Sequence, residues 1–173
     1  PGLRPFPTHF ANGLILPSTP AALWCWLRGA DRGDLLHTSR KIVEAVASEF
    51  NLDAVIDGFN FGGGRDLTGY QDGTENPQGK KALEAAIVQG QGGGLDGSSF
   101  VAVQQWLHDF KAFDSMSSQE QDNAIGRRKS DNEELKDAPP SSHVKRTAQE
   151  SFEPEAFVLR RSMPWADGMR GGL

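Results

Sequence analysis

The chain has 173 residues, a formal net charge of −5 at pH 7 and a single cysteine. Such an acidic balance lacks the concentrated basic field that nucleic-acid binding requires. The lone Cys25 excludes an internal disulfide and a cysteine-based zinc site, which fits a cytoplasmic protein. The longest apolar run, from Ala21 to Leu27, is too short to cross a membrane.

The first part of the chain is predicted to contain a strand followed by a helix. The run from Ala22 to Arg28 is short, aromatic and apolar, as buried strands are. From Leu35 to Phe50, apolar residues recur at spacings near three and four, which is typical of an amphipathic helix.

A glycine-rich loop is predicted next. Gly62-Gly63-Gly64 and the segment Arg65–Pro77 are rich in Gly, Asp, Asn and Pro. Within the segment, Asp72 precedes Gly73, whose missing side chain would let a substrate or cofactor approach the backbone. The Asp72 carboxylate could act as a general acid-base, but an aspartate in a turn commonly hydrogen-bonds its own backbone. The spacing alone leaves both interpretations open.

The second half repeats the alternation of strand and helix. A short helix is expected over 80–89, and strands are expected at Ser99–Trp106 and Ala156–Ser162. Ser117 and Glu120 have the spacing of a capping box and predict a helix that ends near Gly126. This order indicates an α+β fold.

Two further positions could carry chemistry. His143 follows a charged connector, and a neutral imidazole there could bind a metal through one ring nitrogen, although most lone histidines bind none. Arg160 and Arg161 are neighbours on a predicted strand, so only one of them can reach a given pocket. The alternative is one solvated and one ion-paired arginine.

The segment Arg65–Pro77 resembles the Gly-x-x-Asp-Gly signature of dye-decolorizing peroxidases, extended on both sides. Further matches follow in the family's order, and the resemblance runs from Phe6 to the end of the chain. These matches are Phe100–Phe110, Ile125-Gly126-Arg127 with Lys129, Ser142-His143 and Leu159–Pro164. The resemblance implies two ferredoxin-like α+β domains of the dimeric α+β barrel type, with haem b bound in the second.

The resemblance also implies a division of the chain. We expect the C-terminal part of the first ferredoxin-like domain at 1–61 and the glycine-rich loop and linker at 62–97. The haem-binding second domain would occupy 98–173. We expect both domains to be incomplete in this chain.

By the same resemblance, the protein is a haem peroxidase. His143 would be the iron ligand, Asp72 the acid-base and Arg160 the fixed positive charge at the breaking O–O bond. The other residues expected around the cofactor are Arg127, Ser162, Gly73 and Thr74. Arg127 would approach a haem propionate.

The partners expected are hydrogen peroxide and an organic, dye-like or phenolic electron donor, and we expect a homo-oligomer. Two alternatives remain open: a haem carrier or sensor without turnover, and an inactive fragment of a peroxidase. Retention of both Asp72 and Arg160 favours the enzyme, because a carrier has no evident need of them.

Overall fold

The computed structural model describes residues 4–173 and separates the chain into two compact units. One unit ends at Ile56, and the other runs from Asp57 to Leu173. Each unit combines α-helix with short antiparallel strands, in keeping with the predicted α+β class. The division into 1–61, 62–97 and 98–173 stays a prediction. No helix in the described part of the chain is long and apolar enough to span a membrane.

The first unit contains a β-hairpin and a helix. Strands β1 (His9–Ala11) and β2 (Leu14–Leu16) pair across an Asn-Gly turn. Helix α1 (Arg32–Val46) is capped by Asp31, whose carboxylate accepts a hydrogen bond from the Asp34 amide at 2.9 Å. This cap explains why the helix begins ahead of Leu35, where the apolar pattern first appears.

The second unit holds the remaining helices. They are α2 (Gly79–Ala86), α3 (Phe110–Asp114), α4 (Ser118–Ile125), α5 (His143–Arg146) and a short 3₁₀ turn (Gln149–Ser151). The predicted capping box of α4 is confirmed. The Ser117 hydroxyl accepts from the Glu120 amide, and the Glu120 carboxylate accepts from the Ser117 amide at 2.7 Å.

A small antiparallel sheet lies in the same unit. Strands β3 (Trp165–Asp167) and β4 (Arg170–Gly172) form a hairpin, and a single bridge continues it on each side. Gly58 bridges to Trp165, and Leu107 bridges to Gly172. A Cβ atom at Gly172 would overlap the carbonyl oxygen of Trp106, so only glycine allows this approach.

Three predicted strands, at 22–28, 99–106 and 156–162, are wrong: the structure assigns no strand to any of them. A strand needs a neighbour that pairs with its amides and carbonyls. In the last segment, side chains supply partners instead. The Val158 amide donates to Gln149 Oε1 at 2.5 Å, and the Arg160 amide donates to Asn76 Oδ1 at 2.8 Å.

The contact most important for the site involves Tyr70, which is 3% exposed. Its hydroxyl donates to Asp122 on α4 at 2.5 Å, and its ring meets Phe113 of α3 edge-on. The ammonium of Lys129 lies 4.8 Å from the centre of the Tyr70 ring. These contacts fix the segment that carries Asp72 against α3 and α4.

Candidate active site

Asp72 lies at the end of a tight turn. Arg65 and Gln71 form an isolated bridge, and the Asp72 amide donates to the Gly64 carbonyl at 3.0 Å. One carboxylate oxygen of Asp66 organises the turn, because it accepts from both the amide and the hydroxyl of Thr68. The backbone at Asp72 is therefore held in place, although the composition of the segment is that of a loop.

The two oxygens of the Asp72 carboxylate have different surroundings. Oδ1 accepts a 2.6 Å hydrogen bond from the Gly73 amide. Oδ2 is buried, and no described residue donates to it. Leaving a buried carboxylate oxygen without a donor is costly, so such an atom calls for an explanation, of which a functional role is one. The bond from Gly73 thus orients the carboxylate and leaves Oδ2 without a donor among the described residues.

Arg160 lies in an extended, irregular segment and is half-buried, whereas its neighbour Arg161 is exposed. The side-chain amide of Asn76 holds the Arg160 backbone from both sides. Asn76 Oδ1 accepts from the Arg160 amide and Asn76 Nδ2 donates to the Arg160 carbonyl, each at 2.8 Å. The segments that carry Asp72 and Arg160 are therefore connected directly.

His143 is the first residue of α5. The preceding Ser142 is fully buried against the end of α4, where Gly126 is the C-cap residue with φ +94°. A Cβ atom at Gly126 would lie 3.0 Å from Ser142 Oγ and 3.1 Å from Val144 Cβ. The close packing of α5 on α4, which sets the position of His143, therefore depends on a glycine there.

The charges of Arg160 and Asp72 both influence the pKa of His143. The pKa of His143 is lowered from its ordinary 6.5, first by partial burial and then by the positive charge of Arg160. Asp72 and Asp66 oppose this shift and raise the pKa, but they do not reverse it. The imidazole is consequently held neutral, which is the form that binds a metal.

Three of the predicted site residues, Asp72, His143 and Arg160, thus share one electrostatic neighbourhood although they come from separate segments. Among the residues described, no ion pair joins Asp72 to Arg160. The remaining predicted residues are more peripheral: Gly73, Thr74 and Ser162 are exposed.

Arg127 is engaged by carboxylates. Its guanidinium contacts Glu75, lies 3.8 Å from Glu134 and donates to the Asn132 carbonyl at 2.8 Å. The Arg127 side chain is 12% exposed, whereas that of Glu75 is 60% exposed. A second anion could therefore reach Arg127 by displacing the solvated partner Glu75.

Sequence reasoning missed two residues of this region, Asp66 and Asn76. Asp66 precedes Thr68 by two residues, a spacing that is typical of an Asp-initiated turn and could have identified it. Asn76 and Arg160 are far apart in the chain, so no local signal indicates that they meet.

Comparison with known proteins identifies the family of this chain. A sequence model of the family described as Dyp-type peroxidase, C-terminal, matches residues 63–173. A dye-decolorizing peroxidase of Mycobacterium tuberculosis is 32% identical over 172 residues, which are 98% of this chain and 51% of that protein. The chain therefore spans about half the length of the curated relatives it matches.

Solved structures show the same relationship. A variant of DypB from Rhodococcus jostii RHA1 in complex with heme has a TM-score of 0.89 and 32% identity, over 98% of this chain and 56% of that one. The encapsulated DyP-type peroxidase from Mycobacterium smegmatis has a TM-score of 0.88 and 33% identity, over 98% of this chain and 57% of that one. The fold class is the ferredoxin-like α+β class of these structures. The chain belongs to the dye-decolorizing peroxidase family.

Proposed function

We propose that this protein is a haem-dependent peroxidase that reduces hydrogen peroxide and oxidises organic, dye-like or phenolic donors. One observation carries the proposal: Asp72 and Arg160, from two separate segments, both influence the pKa of His143, and one oxygen of Asp72 is buried without a donor. These are the groups that a haem peroxidase needs, and they lie in a chain of that family.

The residues present fit haem b. The pKa of His143 is lowered, so a ring nitrogen would be available to hold the haem iron at neutral pH. No cluster of three His, Cys, Asp or Glu that could hold a metal occurs within residues 4–173. A single histidine suits an iron whose other ligands come from a porphyrin.

Further residues would line the cofactor. Arg127 would pair with a haem propionate in place of Glu75, because both are carboxylates. Gly73 and Thr74 follow Asp72, and Ser162 lies two residues after Arg160. We assign these three exposed residues to the edge of the proposed cofactor site.

Bound haem would supply the iron and the redox chemistry. Asp72 Oδ2 would take a proton from one oxygen of hydrogen peroxide and return it to the other, which leaves as water. The fixed charge of Arg160 would stabilise the negative charge that develops as the O–O bond breaks. His143 would hold the haem iron.

The cytoplasmic location and the assembly into a homo-oligomer belong to the same proposal and rest on the sequence alone. A haem carrier or sensor would need His143 but not the unpartnered oxygen of Asp72. That oxygen favours the enzyme over the carrier.

The test is an absorbance spectrum of the purified protein after addition of hemin and then of hydrogen peroxide with a phenolic donor. The proposal predicts a Soret band that shifts with peroxide and returns as the donor is consumed. A stable band without turnover would indicate a carrier, and the absence of a band would indicate an inactive fragment. Either result would refute the peroxidase assignment for this chain.

A further inference from the structure

Asn76 makes an unusual pair of bonds with the backbone of Arg160. Its Oδ1 accepts from the Arg160 amide and its Nδ2 donates to the Arg160 carbonyl, each at 2.8 Å. This is the pattern by which a residue on a neighbouring strand pairs with both backbone groups of its partner. The side chain of Asn76 therefore takes the place of a neighbouring strand.

Among the described residues, no group other than the Asn76 side chain hydrogen-bonds to the Arg160 amide or carbonyl. The segment from Ala156 to Ser162 has no strand partner in the described part of the chain. The side chain of Gln149 provides its other bond of this kind, at Val158. Asn76 consequently holds the backbone of Arg160, from which the arginine side chain extends.

Asn76 also lies close to Asp72. Its Nδ2 is 3.5 Å from the carbonyl oxygen of Gly73, and the Gly73 amide donates to Asp72 Oδ1. One side chain thus connects the backbone beside the acid-base carboxylate with the backbone of the arginine. Because both contacts depend on the same amide group, the distance between the two functional groups depends on Asn76.

We propose that Asn76 is a positioning residue that sets Arg160 relative to Asp72 for the reaction with peroxide. The inference rests on the proposed function. Electrostatic stabilisation by a fixed charge depends on where the charge is held before the reaction begins. A displacement of about 1 Å can cost about a hundredfold in rate, so loss of the Asn76 amide should slow the peroxide reaction without affecting haem binding.

The first test is independent of haem. In Asn76→Ala, the Arg160 amide should exchange with solvent deuterium roughly two- to tenfold faster than in the wild type, as expected for the loss of one ordinary hydrogen bond. Asn123→Ala is the matched control, because the side chain of Asn123 bonds, among the described residues, to Gln119 within α4. Unchanged exchange at Arg160 in Asn76→Ala would overturn the inference whatever the protein does with peroxide.

The second test is the bimolecular rate with peroxide, followed by stopped-flow absorbance of the haem-loaded protein. Asn76→Ala should be slower by about tenfold or more, while haem content and the KM for the donor stay at wild-type values. Equal rates in a wild type that does react would overturn the inference alone. A wild type that does not react would overturn the proposed function, which the exchange measurement does not depend on.

If Asn76→Ala does not fold, Asn76→Asp provides another test of the inference. Its carboxylate retains an oxygen for the Arg160 amide but loses the donor to the Arg160 carbonyl. The amide should stay protected, and the peroxide rate should lie between those of the wild type and of Asn76→Ala. An Arg160 amide that exchanges as though unbonded in Asn76→Asp would contradict the inference.

Discussion

The carboxylate of Asp72 shows why two opposing interpretations of its sequence position could both hold. Its Oδ1 accepts from the next backbone amide, as an aspartate in a turn commonly does. Its Oδ2 is buried without a donor from any described residue. The turn bond orients the carboxylate, and the proposed function would use the other oxygen. The structural role of the turn bond and the proposed acid-base role would thus be combined in one side chain.

The charges around His143 lead to a prediction about its pKa. Arg160→Leu removes a charge that lowers this pKa, so the pKa should rise, while partial burial keeps it below 6.5. Asp72→Asn removes a charge that raises it, so the pKa should fall. The measurement is an NMR titration of the His143 ring protons in haem-free protein.

Arg161→Leu is the control for these titrations. Its side chain is exposed, so solvent should screen its charge and the pKa of His143 should change less than in Arg160→Leu. Shifts of the same sign in Arg160→Leu and Asp72→Asn would show that the two groups do not act on His143 as described. Arg160→Leu and Asp72→Asn should also react more slowly with peroxide than the wild type does.

The lowered pKa of His143 also predicts how stability depends on pH. The unfolded chain binds a proton at this histidine near pH 6.5, whereas the native protein binds it only at a lower pH. The stabilising contribution is therefore complete above pH 6.5 and declines as the pH falls towards the native pKa. Urea unfolding of haem-free protein should show a shallower decline in His143→Gln. An identical decline in both proteins would contradict the assignment.

At the scale of secondary-structure elements, the contact between α4 and α5 determines where His143 lies. Gly126→Ala would place a Cβ atom 3.0 Å from Ser142 Oγ, at a φ of +94° that disfavours alanine. We expect a loss of about 2 kcal/mol or more in the free energy of unfolding, from strain and overpacking together, and weaker haem binding. Chemical denaturation and a hemin titration would measure the two effects.

Gly94→Ala separates backbone strain from packing. Gly94 has a φ of +91°, but nothing lies within 4 Å of a Cβ atom placed there. Alanine at position 94 would therefore cause backbone strain similar to that of alanine at position 126, but without steric overlap. Equal losses of stability and haem affinity in Gly94→Ala and Gly126→Ala would show that the approach of α5 to α4 does not matter.

The elements that the sequence predicted well are those with local signals. The capping box of α4 consists of Ser117 and Glu120, and both of its hydrogen bonds are present. The strand at 156–162 was wrong because apolar alternation does not reveal whether a partner strand exists. There, the side chains of Asn76 and Gln149 bond to the backbone instead.

At the scale of the whole chain, the family and the α+β class could be predicted from the sequence because the segment Arg65–Pro77 is long and specific. That Asp72, His143 and Arg160 belong to one site could only be inferred from resemblance, since no periodicity connects positions so far apart. The link through Asn76 was missed for the same reason. It depends on tertiary geometry that brings residues separated by 84 positions together.

The central claim is that His143 ligates the iron of a bound haem, and a hemin titration of His143→Ala tests it most directly. His37→Ala is the control, because His37 lies on the exposed surface of α1, in the other unit. The wild type and His37→Ala should show the same Soret band. His143→Ala should lose it and regain it when imidazole is added to replace the missing ligand. An unchanged Soret band in His143→Ala without imidazole would contradict the account.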